Sequence, residues 1–216
     1  MWKKVIIKLG TPLVLGWGLA GLLPQVASAQ TPGLLPPQQV IEDGSDRLRE
    51  VLRSDRELLK RDPAYVFRLV DQEFLPHVDF DRVASLALGK YWRAATPDQR
   101  KAFQDEFKRF LIRSYSFAID ELSEWDIRYA PLRMSPGDKE VVVRTEVMRS
   151  GGTPVAANYS MHLRAGRWQV YDVTIEGVSL ISNYRSGFAQ TIRSKGLDGL
   201  IAELAQRNQE RGATGS

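Results

Sequence analysis

The chain has 216 residues, 43% of them apolar, with 30 Lys and Arg against 26 Asp and Glu, two histidines and no cysteine. Lack of cysteine excludes disulfides and an N-terminal lipidated cysteine, and His77 and His162 alone leave a transition-metal site short of its usual nitrogen and sulfur ligands. Lys3, Lys4 and Lys8 fall in the first 29 residues; removing them from the 30 basic residues leaves 27 against 26 acidic ones. A net charge of +1 is too small for the concentrated positive surface that nucleic acid demands.

Those three lysines precede an apolar run from Leu9 to Leu23 and a small-residue stretch, Ala27-Ser28-Ala29. This is the pattern of a secretory signal, expected to be cleaved after Ala29. Gly10, Pro12, Gly16, Gly18 and Gly21 interrupt the run and argue against a membrane anchor, and without paired arginines near the start an unfolded export route is expected. Residues 30–37, rich in Pro and Gly, read as a disordered leader. A single domain is expected over 38–209, followed by a polar tail, 210–216.

From Gln38 to Lys60, apolar residues recur at helical spacing among alternating charges; Arg47, Arg49, Arg53 and Arg56 interleave with Asp46, Glu50, Asp55 and Glu57, a solvated face. Pro63 restarts a helix through Phe74, which Pro76 ends. His77-Val78-Asp79-Phe80-Asp81 offers three ligands but reads better as a polar turn, in which Asp79 caps a short helix stopped by Gly89. Thr96-Pro97-Asp98-Gln99 is a capping box at the start of a long helix with Phe103, Phe107, Phe110, Leu111, Tyr115, Ala118 and Leu122 on one face.

The second half alternates as strands. A strand is expected from Trp125 to Leu132, a turn at Pro136-Gly137-Asp138, and a second strand carrying Val141, Val143, Thr145 and Val147. Gly151-Gly152 turns into Ala157, Tyr159, Met161 and Leu163, and Ala165-Gly166-Arg167 turns into Trp168. From Trp168 to Ile175 aromatic and β-branched residues fill nearly every position. After Glu176-Gly177, Val178, Ile181, Tyr184, Phe188 and Ile192 form a helical stripe. A last helix follows Gly196. The class is α+β: several helices packed on one face of an antiparallel sheet of about four strands.

Catalytic motifs are weak. Ser179, Ser182 and Ser186 lack a G-x-S-x-G setting, no phosphate-binding glycine loop occurs, and Asp120, Glu121, Glu124, Asp172 and Glu176 are not brought together by spacing. No catalytic residue, metal or cofactor is assigned. The surplus is apolar: Phe67, Val70, Phe74, Val83, Leu86, Phe103, Phe107, Leu111, Tyr115, Val143, Tyr159, Met161, Val173, Ile175, Val178, Ile181, Tyr184 and Phe188 converge if the helices cover one sheet face. Patterning does not separate a core packed to density from one left hollow for a ligand.

Val78-Asp79-Phe80, Ala87-Leu88-Gly89-Lys90-Tyr91-Trp92-Arg93, Ala95-Thr96-Pro97-Asp98-Gln99-Arg100 and Phe103 resemble the helical signature of the MlaC family, also called the toluene-tolerance family. Gly166-Arg167-Trp168, Val170-Tyr171-Asp172, Glu176-Gly177-Val178-Ser179, Asn183-Tyr184-Arg185 and Lys195-Gly196-Leu197-Asp198-Gly199-Leu200 resemble its second half, in order. The resemblance implies a monomeric periplasmic phospholipid carrier of Gram-negative bacteria that holds acyl chains in an apolar cavity between helices and a curved sheet. It also implies partners: an MlaD-type component of an inner-membrane ABC transporter and an MlaA-type outer-membrane lipoprotein with its porin, the whole maintaining outer-membrane lipid asymmetry. On that basis the apolar residues above become candidate acyl-chain contacts, Tyr91, Trp92 and Tyr184 candidates for the cavity mouth, and Arg93 and Arg185 candidates for the head-group phosphate. Two alternatives remain open: a ketosteroid isomerase-like pocket enzyme, with Asp172 as its acid or base, and a ligand-free periplasmic adapter.

Overall fold

The computed structural model describes residues 33–54, 61–122, 125–148 and 152–213; the expected signal, residues 30–32 of the expected leader and Gly151 of the expected turn lie outside the described residues. The side chains of residues 63, 64, 66, 115–122 and 211–213 are likewise outside the description.

The first helix, α1 (Pro36–Ser54), opens two residues before the expected Gln38. Two prolines suit a first turn, whose N–H groups have no intrahelical acceptor. The Leu35 carbonyl accepts from the Gln38 and Gln39 amides at 2.8 and 3.0 Å, and the Leu35 amide donates to Gln38 Oε1 at 3.0 Å. Gln38 then donates through Nε2 to the Ala130 carbonyl at 3.1 Å, fastening the start of α1 beside the end of the first strand. The continuation expected through Lys60 passes into residues 55–60, outside the described set.

After α2 (Pro63–Leu69) the chain widens into a π turn, Val70–Phe74, then tightens into a 3-10 turn, Leu75–His77. Pro76, expected to end a helix, therefore lies inside that tight turn. Asp79 caps α3 (Phe80–Leu88), accepting from the Arg82 amide at 3.0 Å, and Gly89 ends it at φ 56°. A short α4 (Lys90–Ala94) leads to α5 (Pro97–Leu122). Its capping box is reciprocal: the Gln99 amide donates to Thr96 Oγ1 at 3.2 Å and the Thr96 amide to Gln99 Oε1 at 3.1 Å.

The sheet comprises β1 (Asp126–Tyr129), β2 (Glu140–Met148), β3 (Val155–Arg164), β4 (Arg167–Ile175) and β5 (Val178–Ser179), antiparallel neighbours in chain order. The fifth strand is the one that periodicity misses. Glu176 (φ 48°) and Gly177 (φ 81°) are both left-handed, the geometry of a two-residue hairpin turn, so the chain folds back and pairs Val178 with Ile175. Val178, expected on the helical stripe, is thus a strand residue. The last helix, α6 (Leu180–Ala213), starts after it and breaks at Gly196, whose φ of 75° and ψ of 176° are not helical, where the sequence separates two helices.

Register decides which side chains share a face. Val141 lies opposite Met161, Val143 opposite Tyr159, Thr145 opposite Ala157, and Tyr159 in turn opposite Val173. Between Ser160 and Met161 the pairing shifts, leaving Tyr171 as an extra residue on β4, a bulge that bends the strand. Two apolar clusters result. One lies among α3, α5 and α6 and includes Phe103, Phe107, Ile181 and Phe188; the other joins Ile41 of α1 to Val143, Met161 and Trp168 of the sheet.

Candidate functional site

The sheet cluster provides the candidate ligand-binding face. Val143 and Met161 are fully buried; Val40, Tyr129, Leu132, Met134, Val141, Tyr159, Leu163 and Val170 pack around them, with α1 over one side. Hydroxyls accompany the hydrocarbon on this face. Thr145 donates through Oγ1 to the Ala157 carbonyl at 2.6 Å. Burial pushes the Tyr159 phenol above its usual pKa, and burial followed by the nearby Glu42 carboxylate does the same to Tyr129. The Tyr129 hydroxyl is out of reach of water and makes no hydrogen bond among the described residues; the same holds for the indole N–H of Trp125, beside a hollow of about 250 Å3 walled by Val147 and Val155. Beyond Tyr129, α1 carries Asp46, Arg49, Glu50, Arg53 and Ser54 around an open hollow of about 510 Å3.

The apolar residues expected to converge do not form one cluster: eight belong to the helical cluster, and Val143, Tyr159 and Met161 to the sheet cluster. Val83, Phe103, Phe107, Ile181 and Phe188 are buried in the helical cluster, and Leu86, Tyr91, Trp92, Leu111 and Tyr184 pack against it. The Phe107 ring meets those of Phe80, Phe103, Tyr184 and Phe188 at 6.1, 5.3, 5.4 and 5.1 Å, so these helices satisfy one another rather than the sheet. Trp92 lies under the Arg100 guanidinium at 5.2 Å. Phe67 lies under that of Arg113 at 5.3 Å, and Val70 and Phe74 occupy the π turn half-buried. Tyr115 belongs to α5, but its side chain is outside the description.

Val143, Tyr159, Met161 and Val173 share the sheet face. Ile175 and Val178 do not join its buried part: they flank the hairpin turn and are 37% and 58% exposed. The two expected head-group arginines differ in what they touch. Arg93 is exposed on α4, whereas Arg185 donates through Nε to the Leu86 carbonyl at 2.7 Å and lays its stem across Gly89, closing the end of α3. That bond gives Arg185 a structural role through one of its five N–H donors.

On the sheet's polar face sits a charged cluster that periodicity does not announce. Asp79 is almost wholly buried; its Oδ2 meets Arg164 at 2.9 Å and His162 Nε2 at 3.0 Å. His162 Nδ1 faces an Arg82 nitrogen at 2.9 Å, and since arginine only donates, a neutral ring carries its proton on Nε2, which lies close to Asp79 without the alignment of a hydrogen bond. Arg82 also pairs with Glu140 and stacks 3.7 Å over the Tyr171 ring. The only available sequence signal was alternation, which puts His162 and Arg164 on one face. Their partner is some 80 residues away. The cluster is a clamp between α3 and β3, with every charge answered.

Asp172, the candidate acid of the isomerase reading, accepts from Ser179 Oγ at 2.6 Å and from the Ile181 amide at 3.3 Å. It is a helix-start ligand for α6, not a free group in an apolar pocket.

These features define an α+β protein with helices on an antiparallel sheet, whose buried sheet face offers hydrocarbon and a few hydroxyls. The MlaC protein family model matches residues 42–206, and the chain belongs to that family. It is similar to the intermembrane phospholipid transport system binding protein MlaC of Haemophilus influenzae, 23% identical over 190 residues covering 87% of each chain. It is 28% identical to toluene tolerance protein ttg2D of Pseudomonas putida, covering 80% of this chain and 83% of that one. Among solved structures, a phospholipid-binding protein from Ralstonia solanacearum in complex with a phospholipid superposes with a TM-score of 0.77 at 34% identity, covering 82% of this chain and 99% of the other.

Proposed function

We propose that the protein is a periplasmic phospholipid carrier, exported by a cleavable signal, that moves lipid between the inner and outer membranes. The observation that carries this reading is the likeness, over nearly the whole of the Ralstonia protein, to a structure with phospholipid bound. The names of the Haemophilus and Pseudomonas relatives point the same way. Membership of the family supports docking to an MlaD-type component on the inner membrane and an MlaA-type lipoprotein on the outer, with the protein acting as a monomer.

The physical requirement is simple. Two acyl chains carry on the order of 30 methylenes, and at ~0.8 kcal/mol each their exposure to water costs roughly 24 kcal/mol. A buried hydrocarbon face removes most of that cost without any reacting group. Such a face also has no direction of its own: lipid moves according to the affinities of donor and acceptor, and any drive comes from an energy-using partner. The Val143, Tyr159, Met161 and Val173 face is the part of the sheet we assign to acyl chains, with Tyr129 at its rim.

The isomerase alternative needs a titratable side chain free in the pocket, and Asp172 is held by Ser179 and Ile181. The carrier reading is tested by purifying the protein from its periplasm under mild conditions and extracting it with organic solvent. Phospholipid in near-stoichiometric yield is expected; a lipid-free protein that also takes up none from labelled vesicles would overturn it.

A further inference from the structure

Among the described residues the Tyr129 phenol is a donor without an acceptor. It sits at the end of β1, opposite Thr145, whose own hydroxyl is spent on the Ala157 carbonyl at 2.6 Å. The Tyr129 oxygen is shut off from solvent and makes no hydrogen bond, although its ring packs against the sheet cluster. A buried hydroxyl in that condition forfeits its hydration and receives nothing in return, an arrangement native structures rarely keep without a reason.

The surroundings say what kind of acceptor fits. Burial holds the phenol in its protonated form, so it offers a proton rather than taking one. The groups that act on it electrostatically are Glu42 of α1, the Tyr159 phenol of β3, and Asp46 and Arg49 of α1, and Arg49 is already paired with Asp46 at 2.7 Å. Two carboxylates and one committed arginine disfavour a further anion at this point. A neutral carbonyl oxygen meets no such penalty. The rest of the face, Val141, Val143, Tyr159 and Met161, is suited to hydrocarbon.

We infer that the Tyr129 hydroxyl donates to an acyl-ester carbonyl of the bound lipid, making Tyr129 a specificity-determining residue that favours ester-linked over ether-linked chains. This rests on the carrier reading above. The phenol fixes the depth of the lipid: the ester level is held at the rim of the sheet face, chains run inward over Val143 and Met161, and the head group stays outside beside α1.

The test uses the full exported chain, stripped of lipid, and two probes with the same phosphoglycerol head group: a diacyl phosphatidylglycerol and its dialkyl ether counterpart of equal chain length. The wild-type protein is expected to bind the diester about fivefold more tightly, the worth of one ordinary neutral hydrogen bond. Tyr129→Phe is expected to bind both lipids alike, at the ether level, while the melting temperature of the stripped protein stays the same or rises, because no bond of the empty protein is lost. Equal binding of both lipids by the wild type, a preference kept by Tyr129→Phe, or an equal loss for both lipids in Tyr129→Phe would each overturn the assignment while leaving the carrier reading standing; the last points to phosphate or water as the acceptor. Failure of the wild type to bind either lipid would sink the carrier reading and this inference with it.

Discussion

Asp172 on β4 accepts a hydrogen bond from the hydroxyl of Ser179 at 2.6 Å, and Ser179 in turn caps α6 by accepting from the Ser182 amide at 3.1 Å. The other carboxylate oxygen of Asp172 takes the Ile181 amide at 3.3 Å. A single aspartate thus connects the penultimate strand, the two-residue β5 and the first turn of the last helix. Its charge also lies at the positive end of that helix's dipole.

Replacing Asp172 with Ala should therefore cost stability rather than activity. A lost helix-start acceptor of this kind is worth about 1–2 kcal/mol, and the fall should appear as a lower urea midpoint with an unchanged slope. Asp172→Asn, which keeps an acceptor oxygen, should recover part of it. Lipid carried per folded molecule should equal the wild type's in both variants; an Asp172→Asn protein that folds normally but has lost its lipid would contradict a purely structural role.

The clamp around Asp79 predicts an acid limb. Burial alone would raise the Asp79 pKa, but the Arg82 amide, Arg164 and His162 outweigh it and hold it below the usual carboxylate value. A depressed folded-state pKa means that the unfolded chain takes up the proton first on acidification. The stabilisation is therefore complete above the ordinary carboxylate range near pH 4 and is lost as pH falls through the lower folded value. Equilibrium unfolding measured between about pH 6 and 2 should show stability falling across the acidic part of that range. Asp79→Asn should be less stable at neutral pH and show a flatter acid limb; an unchanged limb would mean that other carboxylates dominate it.

Local signals in the chain translated well where one short segment determines the outcome. The Thr96 and Gln99 capping box, the Asp79 cap, the glycine stops at Gly89 and Gly196 and the alternation of Val141 to Val147 all concern residues a few positions apart, and each has its expected geometry. What stayed hidden depends on pairing across the chain. Nothing near Asp79 in sequence tells that His162 and Arg164 will meet it, and nothing in the apolar stripe tells that Phe107 turns to Phe188 rather than to the sheet. The hydrophobic, β-branched composition of Ile175 and Val178 fits an exposed hairpin end as well as a wall; it is the left-handed Glu176 and Gly177 that place them at the turn.

A pair of charge substitutions measures that distinction on the sheet. Val173 lies opposite Tyr159 on the apolar face and is half-buried, whereas Ile175 is 37% exposed beside the turn. Val173→Glu should reduce lipid loading by more than tenfold, because a carboxylate beside acyl chains must either be desolvated or protonated. Ile175→Glu should leave loading unchanged. Val173→Ala serves as the control for folding, and equal loss of loading in both glutamate variants would show that the lipid face extends to the hairpin.

The aromatic set of α5 and α6 should respond in the opposite sense. Phe107 is 1% exposed, with rings of four neighbours within 6.1 Å, and it belongs to the cluster among the helices rather than to the sheet face. Truncation to Ala removes about 3–5 kcal/mol by lost burial and the hole left behind, a large share of the roughly 5–15 kcal/mol that holds a domain of this size. Phe107→Leu should cost much less. If Phe107 packs the frame and does not touch the lipid, Phe107→Leu keeps the wild-type lipid content while its thermal midpoint drops by several degrees. A Phe107→Leu protein of normal stability but reduced lipid content would instead make the α5 face part of the cavity wall, restoring a single site shared by helices and sheet.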